Sequence, residues 1–234
     1  AIVQARMGST RLPGKVLKEV NGRPLIEILF HRLSRSKKID KIILATSENP
    51  GNDLLVETLG KIGIEAFRGS EENVLDRYYE AAKPYSPEAV VRITGDCPII
   101  DPMLVDEVIR MYQEKDADYV SNVEPPTYPD GLDTEVFSFE ALEIAYKQAK
   151  GIFEREHVTH FFRTNGQFKR MNYANETDLS AERWTVDYPE DFEVIKNILN
   201  HFAPDLDFSW QDVLKLKQSN PEYFKAWHVS VLAE

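Results

Sequence analysis

The run Gln4-Ala5-Arg6-Met7-Gly8-Ser9-Thr10-Arg11-Leu12-Pro13-Gly14-Lys15-Val16-Leu17 concentrates the residue types that hold a polyphosphate. Arg6, Arg11 and Lys15 place three cations within ten residues, with no acid among them. Charge-assisted hydrogen bonds from such a set can meet the charges of a triphosphate. Gly8 and Gly14 let the backbone approach an anion, and Ser9 and Thr10 add hydroxyl donors. The run follows the strand-like Ala1–Ala5, so it sits at the carboxyl end of a first strand, where open α/β sheets bind ligands. Two familiar phosphate motifs are excluded: five residues rather than four separate Gly8 from Gly14, Val16 follows Lys15, and G-x-G-x-x-G is absent. The bland alternative, a solvated basic loop, fits poorly with this concentration behind a strand.

Two carboxylates are candidates to hold a metal beside those phosphates. Asp96, in Arg92-Ile93-Thr94-Gly95-Asp96-Cys97-Pro98, leaves an apolar run with a turn at Gly95 and faces the edge of the phosphate loop. Asp187, in Trp184-Thr185-Val186-Asp187-Tyr188-Pro189-Glu190-Asp191, ends a short apolar run before a helix opening at Pro189. Mg²⁺ takes one or two carboxylates together with phosphate oxygens and water. Turn formation at Asp96 and helix capping at Asp187 are the competing roles. Glu190 and Asp191 read as partners of the helix N-terminus, and Asp101 before Pro102 as an N-cap. Cys97 reads as packing rather than as a nucleophile.

Short apolar runs alternate with amphipathic stretches along the chain, which predicts a sheet covered by helices. Strands are expected at 1–5, 41–46, 65–67, 89–93, 118–121, 134–137 and 168–173. Helices are expected at 25–34, 52–62, 74–83, 102–114, 139–150, 154–163, 189–202, 210–218 and 221–227. The turn-rich Glu124–Gly131 reads as a long loop over a site. The 234 residues, 42% hydrophobic and 29% charged, suit one α/β domain over 1–234. Its sheet should be mostly parallel but mixed, between two helical layers. Apolar runs fall short of a membrane span. No signal-peptide pattern precedes the first strand, whose abrupt opening without Met suggests that a few native residues are missing. With Cys97 the lone cysteine, a reducing cytoplasm is expected. The net charge of −11 argues against general nucleic-acid binding. Residues 1–41 carry +7 and the remainder −18, which suggests a local anion site.

The run Gln4–Leu17 resembles the signature of the cytidylyltransferase family that activates acidic sugars, the acylneuraminate and Kdo type, and most nearly its SpsF-like spore-coat-polysaccharide branch. Further matches lie at Thr94–Pro98, Asp130–Phe137, Arg155–Thr159 and Trp184–Asp191, so the likeness spans essentially the whole chain. The resemblance implies a three-layer, Rossmann-like nucleotide-diphosphosugar transferase fold of the GT-A-like type. It also implies CTP as donor, a sugar acceptor, Mg²⁺ as cofactor, pyrophosphate as by-product and often a homodimer. On it, Asp96 and Asp187 match the metal-binding aspartates. The expected nucleotide site is Ala5, Arg6, Met7, Gly8, Ser9, Arg11, Lys15, Arg77, Thr94 and Gly95, with Arg6, Arg11, Lys15 and Asp96 taking part in catalysis.

Asp130, Asp133 and Glu135 surround a turn leading into a strand, where carboxylates can accept hydrogen bonds from sugar hydroxyls; a solvated acidic turn is the equal alternative. Arg92 is a candidate for a phosphate or a sugar carboxylate, although its apolar neighbours make a buried ion pair a serious competitor. Glu156 and His160 share a helix face at i and i+4 but fall short of a zinc site. His157 reads as a surface or interface residue, and Tyr223, Phe224 and Trp227 as core or interface. A glycosyltransferase consuming a nucleotide-sugar and a non-catalytic nucleotide-binding module are the rival functions. Asp96-Cys97-Pro98 lacks the second acid of an Asp-x-Asp motif, which speaks against the former.

Overall fold

The computed structural model describes residues 1–228, with side chains as far as Lys225; Trp227 lies outside the described side chains. Seven strands form one sheet in the order β5-β4-β1-β6-β8-β7-β9. These are β1 (Ile2–Gln4), β4 (Ile43–Ser47), β5 (Glu65–Gly69), β6 (Ala89–Thr94), β7 (Tyr119–Ser121), β8 (Glu135–Ser138) and β9 (Arg170–Asn172). Strand β8 runs antiparallel to both neighbours, while the other pairings are parallel. The sheet is therefore mostly parallel and mixed, as expected.

Alternation along each strand sends successive side chains to opposite layers. Ile2, Ile43, Val90 and Phe137 meet one layer, formed by α3 (Val74–Ala82), α5 (Phe139–Gln148) and the short α6 (Ile152–Glu156) and α7 (His160–Thr164). Val3, Leu44, Val91 and Val136 meet the other, formed by α1 (Leu25–Leu33), α2 (Asp53–Lys61) and α4 (Pro102–Glu114). Outside it, α8 (Pro189–Phe202) and α9 (Trp210–Ser219) build a third cluster on Leu25, Ile28 and Leu104. The sheet between two helical layers is the expected three-layer α/β fold, with α8 and α9 as an addition.

Local chemistry sets several boundaries. Asp101 caps α4, accepting from the N–H groups of Met103 at 2.8 Å and Leu104 at 3.2 Å, and also from Trp210 N–H at 2.8 Å where α9 starts. A small hairpin, β2 (Glu19–Val20) with β3 (Arg23–Pro24), lies outside the expected strands. Its turn is Asn21-Gly22 with φ of 52° and 72°, the pair of positive φ values that Asn-Gly supplies to tight hairpins. The single helix expected at 154–163 is instead two, α6 and α7. Between them the β-branched Val158 and Thr159 are drawn into the interior at 0% and 2% exposure, and the chain at His157 leaves helical geometry. Glu156 and His160 are therefore not successive turns of one helix. The Phe153 ring packs on His157 and His160, with centroids 4.2 and 4.7 Å away.

Candidate active site

The carboxyl ends of β1 and β6 open into a cleft of about 370 Å³. Its lining draws on the phosphate loop (Gln4, Ala5, Arg6, Gly8–Arg11, Lys15), on Thr94–Asp96 and on Asp187. The two strand ends are pressed together. Gly95 N–H donates to Gln4 O at 2.8 Å, and a Cβ on Gly95 would lie 2.6 Å from that of Ala5. Glycine is therefore required where β6 delivers Asp96 to the cleft.

The loop is held at both ends. Met7 N–H donates to the buried Asn52 Oδ1 at 2.8 Å, and Asn52 Nδ2 donates to Ser47 Oγ at 2.7 Å. Ser9 N–H and Gly14 N–H both reach Met7 O, at 2.9 and 3.2 Å. Gly14 takes the left-handed conformation, φ 68°, and starts the 3-10 turn Lys15–Leu17. That turn brings Lys15 back to the base of the cleft. Arg6, by contrast, lies at the exposed rim, paired with Glu71 at 3.3 Å.

Lys15 Nζ lies 3.2 Å from Asp96 Oδ2 and 2.9 Å from Asp187 Oδ1. Two carboxylates 91 residues apart in sequence thus face one point at the foot of the phosphate loop. Arg11 adds a contact to Asp187 Oδ1 at 2.8 Å, while its guanidinium lies 4.8 Å from the centre of the Tyr188 ring. Burial opposes the charge of Asp187, but Lys15, Arg183 and Arg11 outweigh it and hold the carboxyl below its ordinary range. Burial likewise opposes the Lys15 ammonium, and Asp96 and Asp187 outweigh it and raise its pKa. The donor set suits Mg²⁺, a hard cation content with two carboxylates when phosphate oxygens supply the rest. Among the described residues no cluster of three or more His, Cys, Asp or Glu could hold a metal by itself.

Beside this centre lies the acidic turn. Arg183 bridges Asp130 at 2.6 Å, Asp187 at 3.0 Å and Asp191 at 3.0 Å. Burial, with the charges of Asp130, Glu135 and Asp96, pushes the Asp133 carboxyl up to about 7. Burial also raises Asp130. Buried Cys97 is held as a thiol, its pKa raised first by burial and then by Asp96, Asp133 and Asp130.

Three expected contacts are redirected. Arg92 and Glu135 stand directly opposite each other in the β6–β8 register and form a largely buried ion pair. Tyr119 Oη donates to the same Glu135 carboxylate. Burial pushes this carboxyl up, but Arg92 overcomes it and holds it low. The strand alternation that makes Val90 a core residue turns Arg92 toward the same layer, where it pairs with Glu135 and reaches Gln4 Oε1 at 3.4 Å. Arg77 is 1% exposed on the inner face of α3 and donates to Ser70 O at 2.9 Å. It supports the β5–α3 loop that carries Glu71 and is absent from the cleft lining.

Arg183, Asn52, Glu71 and Tyr188 were not anticipated as site residues. For Arg183 a signal existed: it is the lone cation immediately before the acids Asp187, Glu190 and Asp191. Asn52 offered none, because its role depends on a contact 45 residues away.

A sequence profile of a family described as cytidylyltransferase matches residues 1–225. An uncharacterized protein of Methanocaldococcus jannaschii is 41% identical over 94% of this chain and 90% of its own length. The spore coat polysaccharide biosynthesis protein SpsF of Bacillus subtilis is 35% identical over 94% of each chain. The structure of a cytidylyltransferase from Leptospira borgpetersenii matches with a TM-score of 0.91 at 33% identity, covering 95% of this chain and 94% of that one. With a phosphate loop after its first strand and two aspartates meeting at the foot of that loop, this chain belongs to the cytidylyltransferase family.

Proposed function

We propose that this enzyme transfers a cytidylyl group from CTP to a hydroxyl of an acidic sugar, releasing pyrophosphate, with Mg²⁺ held by Asp96 and Asp187. The observation that carries the reading is the convergence of these two carboxylates on Lys15, at 3.2 and 2.9 Å, where the phosphate loop ends. The SpsF relative, by its name, serves polysaccharide biosynthesis, which supports a sugar acceptor and a role in making surface glycans. We place the reaction in the cytoplasm and expect a homodimer. No helix among the described residues is long and apolar enough to cross a membrane.

In the reaction, the sugar hydroxyl oxygen bonds to the α-phosphorus. The bond from that phosphorus to the α–β bridging oxygen breaks, pyrophosphate leaves with the electron pair, and the hydroxyl proton passes to solvent or a nearby base. Arg6, Arg11 and Lys15 stabilise the charge gathering on the departing phosphates. The backbone N–H groups around Gly8 hold the triphosphate in line with the acceptor. Asp130 and Asp133 accept hydrogen bonds from the sugar. Asp96 and Asp187 would hold Mg²⁺, which would supply further positive charge beside the phosphates.

Pyrophosphate release, measured with each of the four NTPs against acidic and neutral sugars, tests this reading. Release with CTP and one acidic sugar is expected. Release with another NTP would overturn the base, and release with a neutral sugar alone would overturn the acceptor class. CTP binding without release from any pair would favour a non-catalytic module or a glycosyltransferase.

A further inference from the structure

Arg183 belongs neither to the phosphate loop nor to the pair of aspartates at its foot, yet it contacts three carboxylates at once. Its Nη1 donates to Asp130 Oδ2 at 2.6 Å, and its Nη2 to Asp187 Oδ2 at 3.0 Å. Nε and Nη2 also grip both oxygens of Asp191, at 3.0 and 3.1 Å. Asp191 is itself fixed, since its Oδ2 accepts the N–H groups of Asp187 at 2.8 Å and Tyr188 at 3.0 Å. The clamp is thus anchored on the first turn of α8 and reaches outward in two directions.

Toward the nucleotide, Arg183 divides the labour of Asp187. It occupies Oδ2 and leaves Oδ1 facing Lys15 and the point shared with Asp96. Toward the acceptor, it holds Asp130 on the turn that enters β8. That turn is bound to the Arg183 segment on both sides, through Asp130 N–H to Glu182 O at 2.9 Å and Trp184 N–H to Asp130 O at 2.6 Å. A planar guanidinium with donors in a fixed fork can serve three carboxylates in this way, whereas an ammonium acts as a point charge.

We infer that Arg183 is a positioning residue: it orients Asp187 for the metal and ties that carboxylate to the Asp130 turn, keeping the nucleotide and acceptor halves of the site at a fixed separation. The inference rests on the proposed reading of Asp96 and Asp187 as Mg²⁺ ligands.

The test uses Mn²⁺ as a paramagnetic probe, titrated into the enzyme·CTP complex and followed by electron paramagnetic resonance. CTP affinity without metal is measured separately by calorimetry. The wild type should take up Mn²⁺ more tightly than free CTP does. Arg183→Met should weaken that uptake by about tenfold, as loss of a ligand's supporting partner does. Its metal-free CTP affinity should stay within about threefold, because the phosphate loop is untouched. Arg183→Lys should remain as weak as Arg183→Met, since charge without the fork does not orient Asp187. Asp191→Asn, which loosens the anchor and spares both metal ligands, should show an intermediate loss and serves if Arg183→Met does not fold. Wild-type Mn²⁺ affinity in Arg183→Met, or full rescue by lysine, would overturn the inference while leaving the metal reading intact. Absence of CTP-dependent Mn²⁺ uptake in the wild type would instead overturn the metal reading, and the inference with it.

Discussion

Lys15 stands between two carboxylates that can each bind a cation. In the nucleotide-free protein its ammonium therefore competes with any divalent ion for Asp96 and Asp187. On the proposed function, a triphosphate would offer the lysine a better partner and leave the aspartates open. Lys15→Met should bind Mn²⁺ without nucleotide roughly tenfold more tightly than the wild type, as the loss of one strong competing ion pair implies. Equal affinities in a nucleotide-free Mn²⁺ titration would show that the ammonium is no competitor. The same variant should lose about 10²–10³ in turnover, the usual cost of removing a donor to a developing charge.

Asp133 offers a second residue-level test. Its carboxyl is pushed up to about 7 in the folded chain, so the folded state binds the proton more tightly than the unfolded state. Stability should then be full below the ordinary aspartate range and fall as pH rises toward 7. At about 1.4 kcal/mol per pH unit, the loss is bounded on the order of 4 kcal/mol. Asp133→Asn should abolish this contribution, so urea unfolding at pH 5 and pH 8 should differ less in the variant. An unchanged pH difference would place the carboxyl in an ordinary environment.

The elements that present these groups are joined by close backbone approaches. Gly131 has φ of +111°, and a Cβ there would lie 2.5 Å from Trp184 C and 2.6 Å from Thr185 N. The approach of a hairpin-like turn to the segment leading into α8 thus depends on a missing side chain. Gly131→Ala should cost about 3 kcal/mol or more, combining backbone strain with overpacking against atoms that cannot move aside. Urea denaturation would measure it, and a loss below about 1 kcal/mol would mean that the two segments separate easily.

Across the whole molecule, the basic N-terminal segment is not a single anion patch. Of its ten cations, Arg6, Arg11 and Lys15 reach the cleft. Arg32 instead turns inward at 1% exposure and donates to the carbonyls of Ile100, Leu206 and Phe208, with its guanidinium 4.2 Å from the Phe208 ring centre. It fastens α1 to the loop before α4 and to the segment between α8 and α9. Arg32→Leu would strand the buried carbonyls of Ile100 and Phe208 and the part-buried one of Leu206, at about 1–3 kcal/mol for each buried group. A loss of at least about 3 kcal/mol in chemical denaturation is expected; a change under about 1 kcal/mol would show that water replaces the guanidinium.

The sequence by itself determined the alternation of strands and helices, the basic loop Gln4–Leu17 and the two candidate aspartates. These features are local: apolar period, turn-forming glycines and charge density are written into neighbouring residues. All seven sheet strands were legible for that reason, and the Asn21-Gly22 pair carries the signal of the small hairpin. Tertiary structure alone decided which charges meet. Strand register turned Arg92 onto Glu135, burial placed Arg77 under the Ser70 loop, and the interior claimed Val158 and Thr159 and broke the helix there. The convergence of Asp96 with Asp187, and the hold of Arg183 on three aspartates, likewise depend on chain segments distant in sequence. A charge announces its presence in a sequence, but its partner is set by packing, which selects among many contacts of similar local cost.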